Sequence, residues 1–354
     1  MNIYAISDGD HSTLTGMNGG MLESPDGKRI VYARKKDLSV PDGMEIWVCD
    51  HDLSNHRHVF TVSCMNHNGP SATFLNNSDI VFRDASHGLN SFVILNVDTL
   101  EVKHRIFAKE SHREENGIYP FSVSKEFMGA NPEHPEISRC GIYLMELASG
   151  NISLAVTEEE IVELVRENGF TPTEFTGSVS HVQLNPAADA VMARISVKEC
   201  PTFGALGCVD LNTRKMHLIP DKPVHQLWYD NDTYMATRQF KIDDRIDMAT
   251  SYIARFSKDG EELEVLGGIG NHIDGSPDRK LFTGDRCYPD YSPDIYIYEK
   301  GYKKPCEMIE MADFQDMIWK KQVHPNPSFS LDGKRLYFNR PVSDTKTVAS
   351  FIEL

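Results

Sequence analysis

The chain has 354 residues, and its 40% of hydrophobic and 25% of charged side chains are typical of a soluble globular protein rather than a disordered one. Acidic residues outnumber basic residues by 52 to 36, and the formal net charge of −16 argues against nucleic acid or an anionic membrane as a partner. No stretch approaches the ~20 apolar residues that span a bilayer, and the N-terminus lacks a signal peptide, which predicts a cytoplasmic protein.

The chain begins with a β-rich run, Asn2–Ile6, and then repeats one strand-turn-strand unit. The first copy is SPDGKRIVYAR at residues 24–34, in which a turn precedes an alternating run typical of a β-strand. The last copy, SLDGKRLYFNR at residues 330–340, is almost identical to the first, and weaker copies begin at Phe74, Ser124, Asn185, Tyr229 and Ser276. Seven copies spaced 44 to 61 residues apart predict an all-β fold, a seven-bladed β-propeller that forms one domain over residues 1–354.

The ends of the chain are predicted to close this ring. Each copy is followed by two further β-rich runs, which provide four strands per blade, but the last copy provides only three. We expect the run Asn2–Ile6 to pair in the last blade as its outer strand, which leaves no open edge between the first and last blades.

One helix is predicted near residues 157–169, in an insertion after the third blade. Thr157 and Glu160 have the spacing of a capping box, an apolar stripe follows, and Gly169 is a stop signal. This helix is expected either to cover the surface or to serve as a lid beside a ligand site.

Histidine and arginine recur at equivalent positions of the repeat. In a propeller, residues just before the first strand of a blade and at the end of the second strand share a face. Four blades carry an imidazole or amide before the first strand, at His181, His225, His272 and Asn326, and His67 and His324 lie close to the same level. Second strands end with Arg34, Arg83, Arg194, Arg238, Arg286 and Arg340. We interpret this ring of histidines and arginines as a site for an anionic ligand. Alternatively, the arginines form ion pairs with carboxylates such as Asp84 and Asp285, and the histidines only fill the entrance of each blade with a polar side chain.

Converging neutral imidazoles bind divalent metals, and an amide oxygen can complete the coordination. A histidine outside the metal site can act as a general base near neutral pH.

From Pro223 onward, over roughly a third of the chain, these residues resemble oligogalacturonate lyase, a family of cytoplasmic seven-bladed polysaccharide lyases. The segment HQLW at 225–228 resembles that family's His-Glu-Phe-Trp, whose histidine is the proposed base. His272 followed by SPDRKLFTGD at 276–285 resembles a segment whose histidine binds manganese. QVHPNPSF at 322–329 is similar to Gln-x-x-His-Pro-His-Pro-Ser-Phe, in which Gln and both His are metal ligands.

The resemblance implies a lyase that cleaves a uronic-acid-containing oligosaccharide by β-elimination without an organic cofactor. It implies a Mn²⁺ site formed by His272, His324, Asn326 and Gln322. Asn326 stands where the family has histidine, and Gln322 is one residue too close to His324, so that Lys321 occupies the matching position. Ca²⁺, or no ion, is therefore an alternative.

In β-elimination, the C5 proton of a uronate is removed only if the adjacent carboxylate is neutralised. We predict that Arg194 and Arg238 neutralise it, that His225 is the base, and that His181 or Tyr229 donates a proton to the leaving oxygen. The remaining arginines, Arg34, Arg83, Arg286 and Arg340, are predicted to bind the anionic oligosaccharide. Other propeller lyases cleave ulvan or rhamnose-glucuronate linkages, so the sugar stays open, and no feature indicates an oligomeric state.

The alternative is a non-catalytic propeller like WD-repeat scaffolds or the Tol propeller, whose Ser-Pro-Asp-Gly turns are similar. Such turns are features of the fold and carry no information on activity. The gating propeller of a serine peptidase is disfavoured because the sequence has no GxSxG motif.

Overall fold

The structure is a computed structural model, and it confirms the seven-bladed β-propeller as seven four-stranded antiparallel sheets. It describes residues 2–7, 11–14, 20–35, 43–63, 69–111, 113–169, 178–196, 205–219, 223–243, 245–288, 291–314 and 323–354.

The strands of each blade follow one another from the axis outward. Blade 1 contains His11–Thr13, Arg29–Lys35, Met44–Asp50 and Arg57–Val62. Blade 2 contains Thr73–Phe74, Asp79–Asp84, Ser91–Asn96 and Val102–Phe107. Blade 3 contains Glu110–Ser111, Ile118–Val123, Gly141–Glu146 and Ile152–Thr157, and a short 3₁₀ helix, Lys125–Phe127, follows its second strand. Blade 4 contains Ser178–Leu184, Ala190–Ser196, Ala205–Asp210 and Met216–Ile219.

The remaining blades have the same order. Blade 5 contains Val224–Trp228, Thr233–Arg238, Tyr252–Ser257 and Glu262–Gly267, and a two-stranded hairpin, Lys241–Ile242 with Arg245–Ile246, lies between its second and third strands. Blade 6 contains Ile273–Gly275, Leu281–Asp285, Ile295–Glu299 and Glu307–Ile309. Blade 7 contains Ser328–Phe329, Arg335–Ser343, Lys346–Glu353 and the N-terminal strand Ile3–Ala5.

The N-terminal strand closes the ring as predicted. Ile3 pairs with Ile352 and Ala5 with Ser350 in antiparallel register, so the outer strand of the last blade comes from the opposite end of the chain. A propeller closed in this way has no open edge between its first and last blades, and separating them requires breaking a ladder of backbone hydrogen bonds.

The predicted helix is present as Glu158–Glu167, and its capping box is formed. Glu160 N donates to Thr157 Oγ1 at 3.1 Å, and Thr157 N donates to Glu160 Oε2 at 2.7 Å. Its apolar face, with Ile161, Leu164 and Val165, packs into the cluster shared by blades 3 and 4. The helix contacts the outermost strands of these two blades, which favours the surface role over the lid.

The core consists of apolar clusters between neighbouring blades. Val31 and Val48 of blade 1, for example, pack against Phe82 and Val93 of blade 2. Each such side chain contributes about 1.5–3 kcal/mol to the free energy of folding when it is fully buried. Contacts between the faces of neighbouring sheets therefore hold the blades together. No helix in the described part of the chain is long and apolar enough to cross a membrane.

Candidate functional site

Four imidazoles form a continuous row around the axis, at the start of the innermost strands of blades 4 to 7. The ring centroids of His181 and His225 are 6.4 Å apart, those of His225 and His272 are 4.9 Å apart, and those of His272 and His324 are 5.0 Å apart. We call the face that carries this row the histidine face. The row brings together four residues that are 143 positions apart in the sequence at its extremes.

Local backbone irregularity turns two of these histidines out of the pleat. The register between the first two strands shifts between Ser180 and Gln183 in blade 4, and between Val224 and Leu227 in blade 5. His181 and His225 lie within these bulges with φ of 54° and 53°, and Asn326 has φ of 46° at the equivalent place in blade 7. Left-handed φ is costly for residues with a Cβ, and such strain is concentrated at functional sites.

Two glutamines that the sequence did not single out hold these bulges. Gln183 Nε2 donates to the carbonyl oxygen of Gln226 at 2.7 Å, and Gln226 Nε2 donates to the carbonyl oxygen of His181 at 3.2 Å. Both glutamine side chains are buried. These hydrogen bonds join blades 4 and 5 directly beneath the histidines and fix the backbone of His181.

A buried carboxylate orients His272. His272 Nδ1 lies 2.9 Å from Asp285 Oδ2, and Asp285 also accepts hydrogen bonds from the backbone N–H groups of Asn326 and Cys287. Burial opposes ionisation of Asp285, but the interaction with His272 outweighs it and holds the pKa of this carboxyl below its usual range. His272 Nδ1 therefore donates to this carboxylate, and Nε2 is the ring nitrogen directed towards His324.

His181 and His225 are kept neutral. Burial lowers the pKa of His181 to about 4, and the positive charges of Arg194 and Arg83 contribute to this shift. Burial also places the pKa of His225 well below its usual value, and the neighbouring histidines and Arg194 add to the effect. Among the described residues, none forms a hydrogen bond with the buried Nδ1 of His225. A neutral imidazole with an unused nitrogen can accept a proton from a ligand.

Two of the predicted arginines lie beside the histidines. Arg194 pairs in register with Ser180, the residue before His181, and its charge acts on both His181 and His225. Arg83 lies at the end of the second strand of blade 2 and forms an ion pair with Glu110 of blade 3. Burial lowers the pKa of Arg194, but an arginine remains charged at neutral pH.

The other arginines of the ring have different surroundings. Arg238 forms an ion pair with Glu262 at 2.5 Å, and the guanidinium groups of Arg34 and Arg286 lie over the rings of Trp47 and Tyr296, at 5.0 and 3.9 Å. Arg340 is half-buried, and its Nε, like that of Arg286, forms no hydrogen bond with any described residue. The carboxylates suggested as partners are used elsewhere, because Asp84 pairs with Arg105 and Asp285 with His272.

The structure does not bring Tyr229 to the histidines, which corrects its prediction as a proton donor. Tyr229 follows the innermost strand of blade 5, so four extended residues, about 13 Å, separate it from His225. Its ring stacks on Phe282 and lies under Arg255 at 4.4 Å and Arg279 at 4.8 Å. Tyr229 thus joins blades 5 and 6 at the opposite face of the ring.

The predicted metal ligands are partly described. His272 Nε2 and His324 Nδ1 are 3.4 Å apart, which is about the separation of two nitrogen ligands on one four-coordinate ion. The Oδ1 of Asn326 is buried without a hydrogen-bond partner among the described residues, and Asp285 orients His272 as carboxylates orient metal-binding histidines. In the described ranges no group of three His, Cys, Asp or Glu side chains converges, and Gln322, Lys321 and His67 lie outside these ranges. The residues present fit a divalent cation held by two imidazoles and one amide oxygen.

The sequence matches no protein-family model and is not significantly similar to any curated protein sequence. In structure, the chain is similar to oligogalacturonate lyase from Vibrio parahaemolyticus, with a TM-score of 0.68, 11% identity and coverage of 99% of this chain and 93% of that one. An oligogalacturonate lyase in complex with manganese gives a TM-score of 0.65, 12% identity and the same coverage. The Cps50 (Swd1) β-propeller domain from Myceliophteria thermophila gives 0.61, with 12% identity over 100% of this chain and 99% of that one. The chain therefore has the seven-bladed propeller fold that oligogalacturonate lyase also has.

Proposed function

We propose that this protein is a lyase that cleaves a uronic-acid-containing oligosaccharide by β-elimination, with His225 as the base. The observation that carries the proposal is the pairing of a buried, neutral imidazole with an arginine at the histidine face. Burial places the pKa of His225 well below its usual value, and the charge of Arg194 contributes to this shift. Elimination needs these two groups together, a proton acceptor for C5–H and a cation for the adjacent carboxylate.

The arginines supply the cation. Arg194 is the strongest candidate for the uronate carboxylate because its charge acts on both His181 and His225. Arg83 is the second candidate, since its charge also acts on His181, although Glu110 partly compensates it. The predicted partner Arg238 forms an ion pair with Glu262, and we assign it a role in the wall of the site. Arg194 is assigned to the carboxylate because its charge acts on both His181 and His225.

The proton then moves within the row of histidines. His225 takes the proton from C5, the electron pair of the C5–H bond forms the C4–C5 double bond, and the bond from C4 to the leaving oxygen breaks. The leaving oxygen needs a proton. His181, with its pKa lowered to about 4, is rarely protonated at neutral pH and is a weak donor. We therefore propose that the imidazolium formed at His225 protonates the leaving oxygen, either directly or by way of His181.

A divalent cation at His272, His324 and Asn326 would supply a second positive charge for the carboxylate and for the charge that develops on it. The manganese in one of the similar oligogalacturonate lyase structures supports this proposal. Whether or not a cation is bound, the histidines transfer the proton and the arginines orient the substrate in the proposed reaction.

The test is the absorbance of unsaturated uronates during incubation of the purified protein with a panel of uronic-acid oligosaccharides. We expect an increase in absorbance that is lost in His225→Ala. His217→Ala is the matched control, because His217 lies on the outermost strand of blade 4, paired with Asp259 at 3.3 Å, away from the axis. Equal rates for wild type and His225→Ala would contradict the role of His225.

A binding scaffold is the second candidate, because the chain covers a Cps50 (Swd1) propeller domain over almost its whole length. This reading predicts no absorbance change with any uronate, even when the folded protein is supplied with Mn²⁺ or Ca²⁺.

A further inference from the structure

A cavity lies where the innermost strands lead into their turns. A cavity of about 190 Å³ is lined there by residues of blades 1, 3, 6 and 7. A smaller one of about 40 Å³ continues it towards blades 4 and 5. Arg113, Asp274 and Arg279 line both cavities. We call this region the turn-side mouth. It lies at the turn ends of the innermost strands, and its smaller part is also lined by Gln183 and Leu227, each two residues beyond a histidine of the row.

Arg279 has an unusual place in the repeat. It occupies the turn position that is glycine in the first and last copies, where Gly27 and Gly333 have φ of 69° and 72°. Arg279 has φ of 56°, a left-handed conformation that is unfavourable for any residue with a Cβ. Ala188 has φ of 57° at the equivalent place in blade 4, so this turn position accepts a side chain, and blade 6 places an arginine there.

The guanidinium of Arg279 is directed along the inner strand into the mouth. Its Nη2 donates to the carbonyl oxygen of Tyr229 at 3.3 Å, and the group lies over the Tyr229 ring. Its Nη1 lies so close to Gly275 that a Cβ added there would be 2.8 Å from it. The absence of a side chain at Gly275 thus provides the space in which the guanidinium lies.

Arg113 faces the same cavity from blade 3. It lies between the strands Glu110–Ser111 and Ile118–Val123, and its Nε contacts Glu115 at 3.0 Å. One nitrogen of the guanidinium is used in this contact, and a guanidinium carries five N–H donors. Two cations from different blades therefore converge on one small cavity.

The carboxylates of the mouth are already satisfied by the protein. Asp274 accepts hydrogen bonds from Phe329 N at 2.8 Å, Gly275 N at 2.8 Å and Ser328 Oγ at 3.1 Å. Glu23 accepts from Tyr337 Oη at 2.6 Å and from Leu331 N at 2.8 Å. Glu115, which lines the smaller cavity, is paired with Arg113. Since Asp274 and Glu23 have internal donors, the donors left for a ligand are the N–H groups of Arg113 and Arg279 that these contacts do not use.

We propose that the turn-side mouth binds a small oxyanion, a phosphate or a compact carboxylate, between Arg113 and Arg279. Paired guanidinium groups recognise such oxyanions through planar, bidentate hydrogen bonds. A cavity of about 190 Å³ is smaller than the usual sites of drug-sized ligands, which restricts the occupant to a compact anion. In a chain of net charge −16, this local pair of arginines is needed to hold an anion. The site is independent of the proposed lyase reaction.

The test is calorimetric titration of the full chain with inorganic phosphate and, separately, with acetate. Arg279→Gly installs the residue that the first and last turns carry, so this variant is expected to fold with a melting temperature at or above that of the wild type. The Kd of Arg279→Gly for the anion should be at least about tenfold higher than that of the wild type, and Arg113→Gln should raise this Kd to a similar extent. Lys334→Gln is the matched control, because Lys334 is an exposed turn cation paired with Asp332 outside the cavity.

Binding of either anion that depends on both arginines supports the site, and the two titrations show which oxyanion it prefers. Absence of binding by the wild type to both anions, or equal weakening in Lys334→Gln, would overturn the proposal. Lyase activity is measured in parallel on Arg279→Gly and should be unchanged, so failure of this site and failure of the proposed reaction give different results.

Discussion

Gln226 holds His181 in its left-handed conformation. Replacement of Gln226 should therefore lower the activity much more than it lowers the stability of the protein. Gln226→Leu removes the hydrogen bond from Nε2 to the carbonyl oxygen of His181 and leaves that half-buried oxygen without this donor. An unsatisfied buried acceptor costs about 1–3 kcal/mol. Relaxation of His181 from φ of 54° to an ordinary β conformation returns about 1–2 kcal/mol. The free energy of unfolding should therefore fall by only about 1 kcal/mol.

Activity should respond more strongly than stability. Once His181 is free to leave the bulge, the row of imidazoles loses its alignment, and a displacement of about 1 Å is enough to reduce a rate about 100-fold. We expect kcat, measured by the absorbance of the unsaturated product, to fall at least tenfold in Gln226→Leu. Asn185→Ala is the matched control, because Asn185 also joins blades 4 and 5 by donating to Asn231 O at 3.0 Å, but at the opposite end of the strand. If both variants lose stability and neither loses activity, the glutamine does not position the histidine and the reasoning is refuted.

Three further outcomes are expected. Because the pKa of His225 is lowered, this base remains neutral well below pH 6.5. The value of kcat/KM should therefore stay constant from neutral pH into the acid range and fall only as the pH drops through the lowered pKa. A midpoint above 6.5 in the pH–rate profile would contradict this. Asn326→His supplies the imidazole that the resemblance implies and should tighten Mn²⁺ binding at least about tenfold in a calorimetric titration, whereas unchanged affinity would remove Asn326 from the metal site. The pKa of Asp84 is lowered, mainly by hydrogen bonds with Ser86 and Arg105 that outweigh its burial, so its stabilisation is complete above about pH 4 and is lost as pH falls through the lowered pKa. Asp84→Asn should lower the free energy of unfolding by about 1–3 kcal/mol at pH 7 and flatten its dependence on acid pH, as followed by chemical denaturation.

The architecture could be predicted because its determinants are local. Each turn of the type Ser-Pro-Asp-Gly marks the same step of one blade, and Thr157 with Glu160 forms its capping box within four residues. The closure by Ile3–Ala5 followed from counting, since a last blade with three strands requires a fourth. Turns and caps that are determined by a few neighbouring residues form in the same way regardless of the rest of the sequence.

The site could be predicted only where strand lengths are uniform. Counting along equivalent strands predicted Arg194 and the histidines on one face, and the register of blade 4, in which Arg194 pairs with Ser180 beside His181, agrees with that prediction. The prediction for Tyr229 did not follow this counting, because a residue at the turn belongs to the opposite face of the ring from a residue at the start of the strand. The hydrogen bonds donated by Gln183 and Gln226 join residues 43 and 45 positions apart, and their choice of partner depends on packing between blades, which no local pattern encodes.

The spacing of the imidazoles explains why this site combines them with arginines. Neighbouring rings in the row lie 4.9 to 6.4 Å apart, so a proton on one imidazole disfavours a proton on the next. The row therefore cannot carry enough positive charge at neutral pH to hold an anionic sugar by itself. Arg194, which as an arginine remains charged at neutral pH in spite of its burial, supplies that charge in the proposed reaction and at the same time helps to keep His181 and His225 neutral. The cation that we propose to bind the carboxylate is thus also what keeps the adjacent imidazole free to accept a proton.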